Sequence, residues 1–288
     1  MSAHIATITL NPALDIHYTL KEFLVGKENY PEEQKKLAAG KGVNVSRVLK
    51  RHGLDATAYM LMGKDNGAEY LRLLESYGVP YATVEVPGSV RENLSVNCPE
   101  LHQETRLCMK GFHVTPDDGL ALIRLVMAQV PAGAYVALCG SLPKGICGQD
   151  FVEYCKMLQR AGYQVIVDCP SLTVAQLQEI QPWLIKPNEK EAMALLGLSG
   201  KMDGEAIAKN LAKIFPQVIV SLGAEGLVYA NKETVLRKYA LPTEVYTTVG
   251  AGDSLVAGFL YGTAAAPGDI DKALDYGLAF AAETCSGI

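Results

Sequence analysis

The chain has 288 residues, of which 49% are apolar, and a formal net charge of −5. These values predict a globular protein with one large domain, or one domain and a small appendage, and argue against nucleic acid or an anionic membrane as the main partner. No apolar run reaches the ~18 residues that a membrane-spanning helix needs, and the first residues lack the basic segment of a signal peptide. The seven cysteines form no CxxC pair and are odd in number, so we expect a reducing, cytoplasmic location.

Strand-like and helical patterns alternate along most of the chain, starting near its N-terminus. Such alternation predicts an α/β fold of three layers, α/β/α, around a mostly parallel sheet. The predicted strands are 5–10, 56–62, 135–139, 164–168, 218–221 and 226–230. The predicted helices are 43–52, 67–77, 117–130, 148–161, 188–196, 204–215 and a buried helix through 255–261.

Two segments, 14–36 and 89–111, break this alternation and contain partial period-two patterns. We interpret them as a small β-sheet lid, and assign 1–13, 37–88 and 112–288 to the main domain. Sites in open α/β sheets lie at the carboxyl ends of the strands, where a lid would exclude water. The alternative is a pair of surface hairpins. Asp15 and Arg91 lie in these segments and favour the lid.

The most informative stretch contains Gly250, Ala251, Gly252 and Asp253, directly before the buried helix. Its backbone N–H groups are therefore predicted to lie at a helix N-terminus with no side chains in the way, which is a binding site for a transferring phosphoryl group. Asp253 would accept the proton of an attacking hydroxyl. Because a helix N-terminus stabilises an anion, we expect this carboxylate to be a weak base.

Three further segments carry weaker signals. Gly40-Lys41-Gly42-Val43-Asn44 opens a helix and is not a Walker A loop, so it is either an ordinary turn or a place where Lys41 and Asn44 meet a ligand. Asp15 follows the first strand and is equally well a turn residue or an acceptor for sugar hydroxyls. Ser141 lies in a glycine- and proline-rich strand exit that is either scaffold or a wall of the site.

The segment from Lys186 to Glu191 begins a helix, with Asn188 and Glu191 spaced as a capping box. The same two oxygen-bearing side chains could hold Mg²⁺ through water. The loop from Ser221 to Gly226 joins two strands, and its glycines permit close approach of a nucleotide.

Taken together, these segments resemble the ribokinase-like (phosphofructokinase B) family of sugar kinases over nearly the whole chain, from Ile5 to about Thr284. The most specific match is 248–254, followed by 39–45 and by Lys186-Pro187-Asn188 with Glu191. The segments 9–15 and 140–143 are similar to the hexose-phosphate branch, that of the 1-phosphofructokinases and tagatose-6-phosphate kinases.

The resemblance implies an ATP- and Mg²⁺-dependent kinase of a ketohexose monophosphate, preferably fructose 1-phosphate with transfer to C6, with tagatose 6-phosphate as the close alternative. It implies a homodimer clasped by the lid sheet. By this resemblance, Asp253 would be the catalytic base, and the anion hole would be formed by Gly250, Ala251 and Gly252. The sugar would be bound by Asp15, Gly40, Asn44 and Ser141, and its own phosphate by Lys41 and Arg91. ATP would be bound by Lys186, Asn188, Ser221, Gly223, Gly226 and Thr248, and magnesium by Asn188 and Glu191.

The sequence departs from the branch at the end of the second lid segment, where a threonine-acidic-aliphatic-asparagine run is usual and this chain has Arg106 and no such asparagine. The chain also ends at Ile288, somewhat early, so we expect an incomplete adenine side. A sugar-phosphate sensor on the same fold is the alternative of another class, and the intact Gly-Ala-Gly-Asp motif favours catalysis over it. A Rossmann-type dehydrogenase is disfavoured because no G-x-G-x-x-G follows the first strand.

Overall fold

A computed structural model describes residues 4–101, 103–200 and 202–287. The strands are β1 (Ile5–Thr9), β2 (Ala13–Thr19), β3 (Glu33–Ala39), β4 (Thr57–Gly63), β5 (Tyr81–Val86), β6 (Arg91–Cys98), β7 (Gln103–Leu107), β8 (Tyr135–Cys139), β9 (Gln164–Asp168), β10 (Leu184–Ile185), β11 (Gln217–Ser221), β12 (Leu227–Asn231) and β13 (Val235–Lys238). The helices are α1 (Lys41–Arg51), α2 (Gly67–Ser76), α3 (Pro116–Gln129), α4 (Gly148–Arg160), α5 (Val174–Ile180), α6 (Glu189–Leu195), α7 (Gly204–Ala212), α8 (Ala251–Ala265) and α9 (Ile270–Cys285).

Nine strands form the main sheet, in the order β13-β12-β11-β10-β9-β8-β1-β4-β5. The strands from β11 to β5 run parallel, and β12 and β13 extend the sheet antiparallel at one edge. Because the parallel strands share one direction, the loops that follow β1, β8, β9, β10 and β11 emerge at the same edge. Sites in open α/β sheets are built at this edge.

Both faces of the main sheet are covered, which gives two cores. In β8 the buried side chains alternate, with Val136 and Leu138 in one core and Ala137 and Cys139 in the other. The second core contains the buried faces of α1, α8 and α9, and the first contains those of α2 to α7. The predicted three-layer α/β/α fold is therefore confirmed. Cys169 is buried in the first core and Cys139 in the second.

A second sheet stands apart from the first and has the order β3-β2-β6-β7. Its central pair, β2 and β6, is parallel, and the outer strands are antiparallel to their neighbours. β2 follows β1 after only three residues, so this small sheet is attached directly at the carboxyl edge of the main one. β3 extends to Ala39, past the predicted division at 36/37, and the division into domains remains a proposal.

The elements that the sequence did not predict are β5, β10, β13, α5 and α9. β10 has only two residues, and β5 and β13 are sheet edges whose mixed exposure hides a strand pattern. In the second predicted lid segment, 89–111, the two strands are β6 and β7, and β7 ends at Leu107. Within the described ranges, no helix has both the length and the apolarity to cross a membrane.

The contact between α8 and α9 offers a test of the packing. A Cβ added to Gly258 would lie 2.2 Å from the backbone oxygen of Tyr276, whereas one added to Gly277 would lie 3.1 Å from that of Leu255. Alanine gains about 1 kcal/mol of helix propensity at either site. We therefore expect Gly258→Ala to lower the free energy of unfolding by about 3 kcal/mol, and Gly277→Ala to change it by less than about 1 kcal/mol.

Chemical denaturation of the two variants measures this difference, with Gly277→Ala as the matched control. Equal stabilities would contradict the described approach of the two helices.

Candidate active site

A cleft of about 540 Å³ lies between the carboxyl edge of the main sheet and the small sheet. Thirteen of the predicted site residues line it, and they come from six separate places in the chain. They are Asp15, Gly40, Lys41, Asn44, Arg91, Lys186, Asn188, Glu191, Ser221, Thr248, Gly250, Gly252 and Asp253.

The N-terminus of α8 forms one wall of the cleft. Gly250 is its N-cap residue and has φ +84°, a left-handed conformation that glycine adopts without strain. The amide of Ser254 donates to Gly250 O at 2.9 Å, so the amides of 251–253 precede the helical ladder. A Cβ on Gly252 would lie 3.4 Å from Nζ of Lys186, so glycine leaves the ammonium room. Positive charge and backbone donors therefore meet where an anion would bind.

Asp253 lies one residue further, with 6% of its surface exposed. Its Oδ2 accepts a hydrogen bond of 2.8 Å from Nδ2 of Asn44 in α1. The pKa of Asp253 is raised to about 6, first by burial and then by nearby Asp168, while Asn44, Lys41 and Lys186 partly offset the rise. This raised pKa contradicts the expectation of a weak base at the helix N-terminus, and its largest cause is desolvation of the carboxylate by burial.

Asp168 lies at the centre of a charged cluster that it forms with Lys41 and Lys186. It was not among the predicted site residues. It ends β9 and is 3% exposed. Oδ1 lies 2.9 Å from Nζ of Lys41, and Oδ2 lies 3.5 Å from Nζ of Lys186. Burial lowers the pKa of Lys41, but Asp168 and Asp253 outweigh it and raise the value above its ordinary one. The sequence could have indicated Asp168 as a site residue, because it is the last residue of a predicted buried strand.

The two glycines around Lys41 explain why α1 begins there. A Cβ on Gly42 would lie 2.5 Å from Oγ1 of Thr9, and one on Gly40 would lie 2.8 Å from its methyl group. Oγ1 of Thr9 accepts from the amide of Val43 at 3.2 Å. Helix α1 therefore sits directly on the end of β1, which places Lys41 and Asn44 in the cleft.

The small sheet supplies the opposite wall. Asn93 donates through Nδ2 to Oδ1 of Asp15 at 2.8 Å, and its own Oδ1 accepts from the amide of Met109 at 3.3 Å. Arg91 donates to the carbonyl oxygen of Asn11 at 3.2 Å. Burial and the charge of Arg106 lower the pKa of Arg91, and Asp15 partly offsets them. Asn93 and Arg106, which also line the cleft, were not among the predicted site residues.

Asn188 and Glu191 form the predicted capping box of α6. The side chain of each accepts from the backbone amide of the other at 2.9 Å. One oxygen of each side chain is thereby used, and the carboxylate keeps a second oxygen. No group of three or more acidic, His or Cys side chains suited to a metal occurs in the part of the chain that the structure describes. This donor set fits Mg²⁺ held through waters and phosphate oxygens rather than in a protein cage.

Four predicted site residues are not among those that line the cleft: Ser141, Ala251, Gly223 and Gly226. Ser141 accepts a hydrogen bond of 3.3 Å from Asn11, and the amide of Ala251 donates to Thr248 O at 3.3 Å. A Cβ on Gly226 would lie 2.1 Å from the backbone oxygen of Lys238, so this glycine permits β13 to approach.

The cleft thus combines a helix N-terminus suited to an anion with a buried carboxylate, at the carboxyl edge of the main sheet. This arrangement is typical of enzymes that transfer phosphoryl groups. Residues 8–287 match the family described as pfkB family carbohydrate kinase, and the chain belongs to that family. It is therefore a carbohydrate kinase, an enzyme that transfers a phosphoryl group to an alcohol.

Named relatives agree with this assignment. The chain is 34% identical over 264 residues to a 1-phosphofructokinase of Haemophilus influenzae, covering 90% of this chain and 84% of the relative. The phosphofructokinase-2 from Escherichia coli in complex with fructose-6-phosphate superposes with a TM-score of 0.92 at 25% identity, over 99% of this chain and 95% of that one. The tetrameric inhibited form of the same enzyme gives a TM-score of 0.89 at 26% identity, over 98% and 94%.

The raised pKa of Asp253 predicts a pH-dependent cost to folding. An unfolded aspartate ionises near pH 3.8 and the folded one near 6, so the folded state is penalised progressively over this interval and fully above it. Asp253→Asn removes the ionisation. We expect the variant to be about 2–3 kcal/mol more stable than the original protein at pH 8, and no more stable below pH 4.

Urea denaturation at the two pH values measures this. Asp55→Asn, at an exposed carboxylate, is the control and is expected to change stability by at most about 0.5 kcal/mol. If Asp253→Asn were no more stable than the original protein at pH 8, the pKa of Asp253 would not be raised by burial.

Proposed function

We propose that this enzyme transfers the γ-phosphoryl group of ATP to a ketohexose monophosphate, with fructose 1-phosphate preferred and fructose 1,6-bisphosphate as the product. The observation that carries the proposal is the Asn44–Asp253 pair at the N-terminus of α8, in a cleft with cationic side chains toward both ends. The 1-phosphofructokinase and the fructose-6-phosphate complex among the relatives support a fructose phosphate as substrate.

The charges around the cleft form two groups, which suits an acceptor that carries a phosphate at one end and receives the transferring phosphoryl group at the other. The charged groups that act on Lys41 include Asp168 and Asp253, whereas those that act on Arg91 include Asp15 and Arg106. We therefore assign Lys41, with Lys186, to the transferring phosphoryl group, in place of the sugar's own phosphate, the role that the family resemblance implied for Lys41. Arg91 is assigned to the phosphate that the sugar already carries. The hydroxyl to be phosphorylated would then face Asp253.

In the proposed mechanism, Asp253 accepts the proton of the attacking hydroxyl while the amides of Gly250 and Gly252 stabilise the transferring group. The amide of Ala251 would join them only by giving up its bond to Thr248 O. Asn44 holds the Asp253 carboxylate in position through its hydrogen bond. The sugar hydroxyls are assigned to Asp15, Gly40 and Asn44, with Ser141 acting through Asn11. Asn44 keeps a buried Oδ1 that has no hydrogen-bond partner among the described residues, which suits a donor from the sugar.

The ATP side is assigned to Lys186, Asn188, Ser221 and Thr248, with Gly223 and Gly226 shaping the loop after β11. Bound Mg²⁺ would neutralise charge on the phosphates, and Asn188 and Glu191 would hold it through water. Both residues line the same cleft as Asp253.

The small sheet is proposed to act as the lid and as the interface of a homodimer. Its connecting segments and edges expose Val25, Tyr30, Leu107 and Met109, by 48–87% of their surface. Apolar side chains exposed together are typical of protein interfaces. A monomer mass in analytical ultracentrifugation at micromolar concentration would contradict the dimer.

Coupled ADP release with magnesium-ATP tests the substrate. We expect turnover on fructose 1-phosphate to exceed that on tagatose 6-phosphate, fructose 6-phosphate, fructose and ribose by at least about tenfold in kcat/KM, a difference of about 1.4 kcal/mol. A preference for tagatose 6-phosphate would select the alternative kinase. Binding of a sugar phosphate without turnover on any substrate would favour the sensor.

The same assay tests the base. Because Asp253 must be ionised to accept a proton, kcat/KM of the original enzyme should fall about tenfold per pH unit below about pH 6. Asp253→Asn should lose about 10³-fold or more in kcat and keep its affinity for ATP. Asp55→Asn is the control. Near-normal turnover of Asp253→Asn would refute the assigned role.

A further inference from the structure

We propose that Arg106 is a second guanidinium for the phosphate already present on the sugar, and that it acts together with Arg91. This inference rests on the proposed function and deepens it. It makes Arg106 a residue that determines specificity for phosphorylated over neutral sugars. Arg106 lies where the sequence departs from the related branch, near its usual threonine-acidic-aliphatic-asparagine run.

Strand register places Arg106 on the cleft-facing side of the small sheet. Arg106 in β7 pairs with Ser95 in β6. Paired residues point to the same face, and side chains two apart along a strand share a face. Arg106 therefore shares its face with Ser95, Asn93 and Arg91. Asp15 pairs with Asn93 in the same register, and Asp15, Arg91, Asn93 and Arg106 all line the cleft.

The two arginines are close enough to affect each other, since the charge of Arg106 lowers the pKa of Arg91. Both arginines have an acidic neighbour: Asp15, itself hydrogen-bonded to Asn93, raises the pKa of Arg91, and Oε1 of Glu104 lies 3.9 Å from Nε of Arg106. These neighbours do not cancel the repulsion between the two guanidiniums, since the pKa of Arg91 is still lowered. An anion bound between the guanidiniums would turn this repulsion into attraction.

Arg91 also has an unused donor. Its Nε is buried without a hydrogen-bond partner in the described part of the chain, although the guanidinium donates elsewhere to Asn11. Buried donors are nearly always paired, so an unpaired one at a ligand cleft points to a ligand acceptor. Arg106 keeps 37% of its side chain exposed and can move toward the same ligand. A phosphate offers several acceptor oxygens to both residues.

The experiment is equilibrium binding of fructose 1-phosphate without ATP, by calorimetry, to the original protein and to Arg106→Gln. We expect a 10–100-fold weaker affinity in the variant, as for loss of a charge-assisted contact. Arg106→Lys should recover part of the affinity, because it restores the charge without the planar fork. Arg124→Gln, at an exposed position of α3 outside the cleft, is the matched control and should bind normally.

Fructose, which has no phosphate, distinguishes a loss of phosphate recognition from general damage to the sugar site. Its KM as an acceptor should be the same in Arg106→Gln and the original enzyme, while the KM for fructose 1-phosphate rises. Equal affinities for fructose 1-phosphate, or an equal loss for both sugars, would overturn the role of Arg106. Failure of the proposed function would be seen separately, as an original enzyme that binds the sugar phosphate and does not turn it over.

Discussion

The active site depends on one buried carboxylate, that of Asp168, and on the two lysines that it holds. Burying a charge costs several kcal/mol unless partners compensate it. Here the compensation comes from Lys41 at the start of α1 and from Lys186 just after β10. This cluster fixes two elements that are distant in sequence against the end of β9. Within the cluster, Asp168 adds to the rise in the pKa of Asp253 and the two lysines lower it, so the proposed base depends on residues that do not accept the proton themselves.

Sequence reasoning succeeded where a site is encoded locally. The helix start at Gly250–Asp253 and the capping box at Asn188 depend on residues within one turn of each other, so short motifs revealed both. Asp168 and Asn93 were missed because their roles arise only when strands from different parts of the chain meet. Asn93 reaches Asp15 through the parallel pairing of β2 and β6, which no local pattern predicts.

The sequence also misjudged the strength of Asp253 as a base. Position at a helix N-terminus is visible in the sequence, whereas burial to 6% exposure and the approach of Asp168 are not. The central strands were predicted well because they are buried on both faces and read as continuous apolar runs. The edge strands β5 and β13 combine exposed and buried residues, and such patterns do not distinguish a strand from a loop.

The attachment of the small sheet has an evolutionary consequence. The proposed base is on a helix of the main body, while Asp15, Arg91, Asn93 and Arg106 lie on strands of the other sheet. The residues proposed to hold the acceptor's own phosphate are thus encoded apart from the proposed base. Under these assignments, mutations in β6 and β7 would alter recognition of that phosphate without changing the proposed base. One ancestral catalyst could in this way diversify toward many sugars by altering two short strands.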